Sequence, residues 1–179
     1  MTTDFLSKEP VRMVPHDPAW KQRFLEEKMR LQAAIGAYVL DIQHIGSTAV
    51  PGIVAKPIID IGAAVENFEA ANVCVAPLTA LGYEYHGENG IPRRHFFVFG
   101  TPRSIHLHMF ERSSAEWQNH LLFRDYLRSH PQQAAAYSAL KIELAARLGH
   151  DRASYTDAKA PFISRVIVLA REEQLSANG

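Results

Sequence analysis

The chain has 179 residues, with 19 Lys and Arg balancing 19 Asp and Glu, and a single cysteine, Cys74. That length suits one domain with a helical extension, and the charge balance supplies no field for extended nucleic acid or an anionic membrane surface. One cysteine excludes an intrachain disulfide and a cysteine metal cage. The first nine residues lack an apolar leader, and no apolar run approaches the roughly 18 residues of a membrane span, so a cytoplasmic location is expected.

Asp17-Pro18 opens the first expected helix and Gly36 closes it. Trp20, Phe24, Leu25, Leu31 and Ile35 are expected to face the core, with Lys21, Glu27, Lys28 and Arg30 in water. A strand is expected from Tyr38 to Ile45, an ordered connection from Ser47 to Pro57, and a second strand from Ile58 to Val65. Phe68 to Leu81 reads as one helix, kinked near Pro77, with Cys74 buried in it. A short strand at 83–86 and a polar loop at 87–92 precede a hairpin of strands 95–99 and 105–110. Beyond Ser113 three helices follow, 115–129, 131–148 and 157–175, expected to cover one sheet face, with the tail fraying from Ser176. The fold class is α+β, a mixed or antiparallel sheet flanked by helices, with a helical last third. Residues 1–179 form one domain, a core of about 11–112 and an extension of about 113–175.

Alternation along the second strand puts Ile58, Asp60, Gly62 and Ala64 on one face. Asp60 is then a charge on an apolar strand, and burying it without a partner would cost several kcal/mol, so a cation or donor is expected beside it. In the last strand Ile105, Leu107 and Met109 form the apolar face, which places His106 and His108 together on the other. Histidines at i and i+2 lie roughly 6 to 7 Å apart at their backbones and can share one metal ion. A carboxylate and two imidazoles converge if the two strands are neighbours. Gly46, Ser47 and Thr48 can offer amides and hydroxyls to a phosphate, or cap the turn that follows. His44 either touches a ligand there or is a buried structural imidazole. The basic residues between Gly36 and Phe110, namely Lys56, Arg93, Arg94 and Arg103, are too few to track a polynucleotide and enough to grip one small phosphorylated ligand.

Several segments in order resemble the GrpB family: His16-Asp17-Pro18-x-Trp20, His44-Ile45-Gly46-Ser47-Thr48, Val50-Pro51-Gly52, Lys56-Pro57-Ile58-Ile59-Asp60-Ile61, Arg93-Arg94-His95-Phe96, His106-Leu107-His108, Phe123 to Arg128, and Tyr155-x-x-x-Lys159-x-x-Phe162-Ile163. The resemblance spans about residues 11–170 and implies the nucleotidyltransferase superfamily fold, that of DNA polymerase beta. By position it places the superfamily's phosphate-binding Gly-Ser on Gly46 and Ser47, and its first metal carboxylate on Asp60. Gly62 stands where the second carboxylate would be, and His106 or His108 falls near the third. It further implies a nucleotide such as ATP as ligand or substrate, a divalent ion (Mg, Mn or Zn) on Asp60, His106 and His108, Asp60 and His108 as catalytic groups, and Lys159 as a further phosphate grip. Three functions follow as expectations: nucleotidyl transfer to a small molecule or protein, a non-catalytic nucleotide-binding module, or a mononuclear metal hydrolase. Oligomeric state has no signature in the sequence.

Overall fold

The computed structural model describes residues 11–177. The leader reading of the first nine residues lies outside that range.

Helix α1 spans Ala19–Ile35. The Asp17 carboxylate accepts from the Ala19 amide at 2.9 Å, which caps the helix. Its buried stripe is Trp20, Phe24, Glu27, Leu31 and Ile35. Glu27 was expected in water, yet it is 5% exposed. It is held there by the Tyr83 hydroxyl, which donates at 2.7 Å, and by Arg30 at 2.6 Å. Leu25, expected inside, is exposed. One position of helical phase separates the two readings, and a buried acid with two donors wins the phase.

The five strands are β1 (Asp41–Ile45), β2 (Ile59–Val65), β3 (Glu84–Tyr85), β4 (His95–Phe99) and β5 (Ile105–Glu111). Their order in the sheet is β1-β2-β5-β4-β3. β2 and β5 run parallel, and every other neighbouring pair is antiparallel. The sheet is therefore mixed, one of the two arrangements, mixed or antiparallel, that the strand pattern leaves open. β1 starts three residues later than expected, because the Tyr38 amide bonds back to Ile35 and keeps the chain turning.

One sheet face carries Ile42, Ile59, Ile61, Ala63, Val65, Phe97, Ile105, Leu107 and Met109, packed against α1 and α2 (Val75–Ala80). The segment 68–81 is not one helix. Asn67 caps a 3-10 turn at Ala70–Cys74, and α2 follows with Pro77 in its first turn, where no amide donor is needed. Cys74 is fully buried.

Helices α3 (Ala115–Ser129), α4 (Pro131–Leu148) and α5 (Arg152–Ala177) follow the sheet. α5 begins five residues before its expected start, because Asp151 caps it by accepting from the Ser154 amide at 3.0 Å and its hydroxyl at 2.6 Å. Pro161 lies inside that helix and does not end it, and Ser176 still bonds to the Glu172 carbonyl within it. The three helices cover the second sheet face only in part. Trp117 of α3 packs on Ala64 and Phe110, while Phe123, Leu127, Tyr137 and Val166 close over Val50 and Ile53. Between these two clusters a cavity of about 880 Å³ stays open over the middle of the sheet.

Replacing Tyr83 by Phe removes one of two donors to buried Glu27 and is expected to cost about 1–3 kcal/mol of stability, readable as a lower urea midpoint with an unchanged slope.

Candidate functional site

The parallel register sets Asp60 beside His106 and Gly62 beside His108. Side chains of paired residues share a face, so both imidazoles reach the carboxylate. Asp60 Oδ1 lies 3.3 Å from His106 Nδ1 and 3.3 Å from His108 Nε2. Burial alone would raise the Asp60 carboxyl, but hydrogen bonds from His106 and then His108 outweigh it and hold the group well below the usual range. The donor that a carboxylate on an apolar strand requires is thus a pair of histidines.

Arg94 fixes how one of them is protonated. Its guanidinium is buried, donates to the carbonyls of Asn89 and Glu88, lies over the Phe96 ring, and has one NH group 3.3 Å from His108 Nδ1. A guanidinium has no acceptor, so His108 Nδ1 must accept and Nε2 must carry the proton that faces Asp60. Burial lowers the His108 pKa despite the neighbouring carboxylate, which keeps the ring neutral.

In number and type, one carboxylate and two imidazoles suit a divalent ion that accepts nitrogen ligands, such as Zn²⁺ or Mn²⁺, better than Mg²⁺. The three ligand atoms all lie within 4.8 Å of one another. An ion on His108 Nε2 and the Arg94 contact on Nδ1 exclude each other, since the ring would have to carry its proton at Nδ1.

The turn above Asp60 is tight. Gly46 has φ +68, and a Cβ there would stand 2.7 Å from Asp60 Oδ2. This close approach is what brings Ser47 and Thr48 to the mouth of the carboxylate. The 3-10 turn Ser47–Ala49 follows, with the Ala49 and Val50 amides bonded to the Gly46 and Ser47 carbonyls. The Ser47 and Thr48 amides have no partner inside the turn, as at any helical start. His44 lies on the opposite sheet face, stacked on Phe24 and bonded to the Thr48 hydroxyl at 2.9 Å, and is a structural imidazole.

Cations gather around the cavity. Lys56 and Lys159 stand over the same Tyr155 ring, at 4.8 and 4.6 Å from its centre. Burial, then Lys159 and Arg152, brings the Lys56 pKa down to about 8. Burial lowers Lys159 too. Of the expected grips, Lys56, Arg94 and Lys159 line the cavity with Gly46, Ser47, Thr48, Asp60, His106 and His108. Arg93 and Arg103 are not among the lining residues. The Arg93 side chain turns the other way, pairing with Glu69 at 2.9 Å and Glu111 at 2.8 Å.

Two lining residues escaped sequence reasoning. Lys141 of α4 is 2% exposed and sits 3.0 Å from Ser47 Oγ. The His120 ring of α3 lies 5.9 Å from that of His108 at a tilt of 47°, and burial, then His108, lowers its pKa to about 4. Their signal is helical phase: Lys141 falls on the buried stripe Ala134, Tyr137, Leu144, and His120 falls between Trp117 and Phe123.

Gly62, which stands where the expected resemblance would put a second carboxylate, is closed. A Cβ there would meet Trp117 at 3.1 Å and Ile45 at 3.3 Å. Gly62→Asp is expected to destabilise the fold by at least about 3 kcal/mol, by crowding and by a buried unpaired charge, measured by urea unfolding. A second prediction concerns acid. Burial lowers the His44 pKa from 6.5 to about 4, so between those values the unfolded chain binds the extra proton. The stability this contributes is complete above pH 6.5 and is lost as pH falls toward 4, at about 1.4 kcal/mol per pH unit for that proton. His44→Gln, which keeps a hydrogen-bonding tip for Thr48, is expected to flatten the unfolding free energy over this range by about one proton.

Residues 10–168 match the protein family described as GrpB protein. A UPF0157 protein of Pseudomonas aeruginosa is 41% identical over 162 residues, covering 88% of this chain and 66% of that protein. The UPF0157 protein YqkA of Bacillus subtilis is 43% identical over 141 residues, covering 78% of this chain and 41% of that protein. The chain thus spans about two thirds of the length of one relative and two fifths of the other. The crystal structure of the conserved protein GrpB from Enterococcus faecalis superposes with a TM-score of 0.84 at 34% identity, covering 92% of this chain and 99% of that one.

Proposed function

The chain belongs to the GrpB family, and from that premise we propose that it is a nucleotidyltransferase-like protein of the cytoplasm that binds a nucleoside triphosphate with a divalent ion. One observation carries the reading: Asp60 lies under the Gly46 turn in a cavity lined by five basic side chains, Lys56, Arg94, Lys141, Arg152 and Lys159, against three carboxylates, Asp60, Glu116 and Asp157. A cavity with that excess of positive charge is complementary to a polyanion, and its volume of about 880 Å³ admits a nucleotide. Gly46, Ser47 and Thr48 would approach a phosphate through their amides, and Lys56, Lys159 and Arg94 would neutralise the remaining charge. Asp60, His106 and His108 would hold the ion, which supplies charge neutralisation beside the phosphates. A phosphate able to draw the Arg94 guanidinium off His108 Nδ1 would release that nitrogen, so occupancy by the anion and by the ion would support each other.

Activity on this reading is transfer of a nucleotidyl group to a hydroxyl. A second reading, a binding module without turnover, is favoured by Gly62: Trp117 fills the room a second carboxylate would need. Among the described residues no helix is long and apolar enough to cross a membrane.

Thermal unfolding of the wild type and Asp60→Asn, with ATP and with or without Mg²⁺, Mn²⁺ or Zn²⁺, tests the site. A ligand at a hundred times its Kd adds about 2.7 kcal/mol, roughly 5–10 °C for a chain of this size. We expect a metal-dependent rise that Asp60→Asn loses. If none of ATP, GTP, CTP and UTP raises the midpoint with any of these ions, the nucleotide reading fails. Sustained turnover of labelled nucleotide that Asp60→Asn abolishes would reject the module.

A further inference from the structure

Lys141 is a buried amine whose surroundings hold no carboxylate partner among the described residues. Its Nζ lies 3.0 Å from Ser47 Oγ, bonds to the Val54 carbonyl, and stands 4.6 Å from the centre of the Tyr137 ring. The charged group that faces it from α5 is Lys159, another cation, and Tyr155 of α5 is the next titratable group behind Tyr137. Burial first, and repulsion by Lys159 second, lower the Lys141 pKa to about 7. Burial pushes the Tyr137 phenol up, and Tyr155 adds to the shift, so the hydroxyl keeps its proton.

Lys141 Nζ donates to Ser47 Oγ and to the Val54 carbonyl. In the neutral amine the first of these bonds can reverse, with the Ser47 O–H donating to the nitrogen lone pair. An ammonium in the same place would offer three donors to one carbonyl, one hydroxyl and a ring face, with no carboxylate bonded to it among the described residues. Ser47 itself is half-buried at the cavity wall, between this chain of donors and the Asp60 turn.

We propose that Ser47 is a nucleophile with Lys141 as its general base, and that Ser47 accepts a phosphoryl or nucleotidyl group from a phosphate anhydride bound in the cavity. The anhydride class rests on the phosphate-ligand reading above; the nucleophile and base do not. In the step, Ser47 Oγ forms a bond to phosphorus as the P–O anhydride bond breaks. The serine proton passes to Lys141 Nζ, and the leaving phosphate departs with the bond pair. Nothing is oxidised or reduced. The product is a seryl phosphoester, with Lys141 as ammonium until it returns the proton to water or to an incoming hydroxyl. Lys56 and Lys159 would meet the charge of the departing phosphate.

A fluorophosphonate probe tests the pair without knowledge of the substrate, because its tetrahedral phosphorus takes the serine oxygen and releases fluoride. In the wild-type protein we expect one adduct, mapped to Ser47 by mass spectrometry, forming tenfold faster per pH unit below about 7 and levelling above it as Lys141 loses its proton. Ser47→Ala should give none. Lys141→Met, and Lys141→Arg, which keeps the charge and cannot act as base, should label at least about a hundredfold more slowly while unfolding cooperatively. No adduct on folded wild type at pH 8, or wild-type labelling of Lys141→Arg, overturns the proposal and makes Lys141 a cationic support. If both Lys141 variants fail to fold, a wild-type labelling rate that is flat between pH 6 and 8 overturns it instead. Inorganic tripolyphosphate at 1 mM should slow labelling by filling the cationic cavity. Labelling that it does not slow rejects the anhydride class while leaving the nucleophile in place, and the nucleotide-dependent unfolding above reports separately on the phosphate reading.

Discussion

The parallel pairing of β2 with β5 is the constraint on which the site depends. Because side chains alternate along a strand, slipping β5 by one residue would send His106 and His108 into the α1 layer and bring Ile105 and Leu107 to Asp60. The register is held from the other side of the sheet, where Ile59, Ile61, Ala63 and Val65 pack with Ile105, Leu107 and Met109 under α1 and α2. Apolar packing on one face therefore sets the geometry of the polar cluster on the other. A parallel neighbour needs a long crossover, and the chain spends residues 66–104 on it, including α2 and the strands β3 and β4.

Much of this was legible in the sequence, and the illegible parts have physical reasons. The faces of β2 and β5 follow from alternation alone, so Asp60 and the two histidines could be named as a convergent set on the single condition that the strands adjoin. That adjacency is a tertiary fact. The hairpin 95–110 followed from turn chemistry, which left the sheet as mixed or antiparallel until the parallel pairing of β2 with β5 decided it. Helix phase failed at Glu27, where a hydrogen bond from Tyr83, 56 positions away, decides burial. Helix start failed at Asp151, because an aspartate cap close behind a glycine looks like loop until its partner Ser154 is seen. Lys141 was missed because a lysine on a helix is ordinarily a solvated charge, and only its place among Tyr137 and Leu144 marks it as internal.

Two adjacent arginines show how backbone conformation sorts equal charges. Arg93 has φ +59, and its side chain leaves the cavity side to join Glu69 and Glu111 on the exterior. Arg94 enters the sheet, where two loop carbonyls and the Phe96 ring hold its guanidinium against His108. One arginine braces the loop and the other governs which nitrogen of a site histidine bears its proton. Charge counts from sequence treat the two alike.

The cavity is assembled from two portions of chain far apart in sequence. The carboxylate, the histidines and the glycine turn come from residues 44–108, and Lys141 and Lys159 come from α4 and α5. A nascent chain completes the sheet and its α1–α2 layer before the last helices exist, and in that interval the apolar surface of Val50 and Ile53 is bare. Docking of the helical third thus does two things at once: it covers that patch and delivers most of the lysine charge. Undocking of the helices would bare that apolar patch and carry Lys141 and Lys159 away from the Asp60 face together, so exposure of Val50 and Ile53 would report on assembly of the cavity.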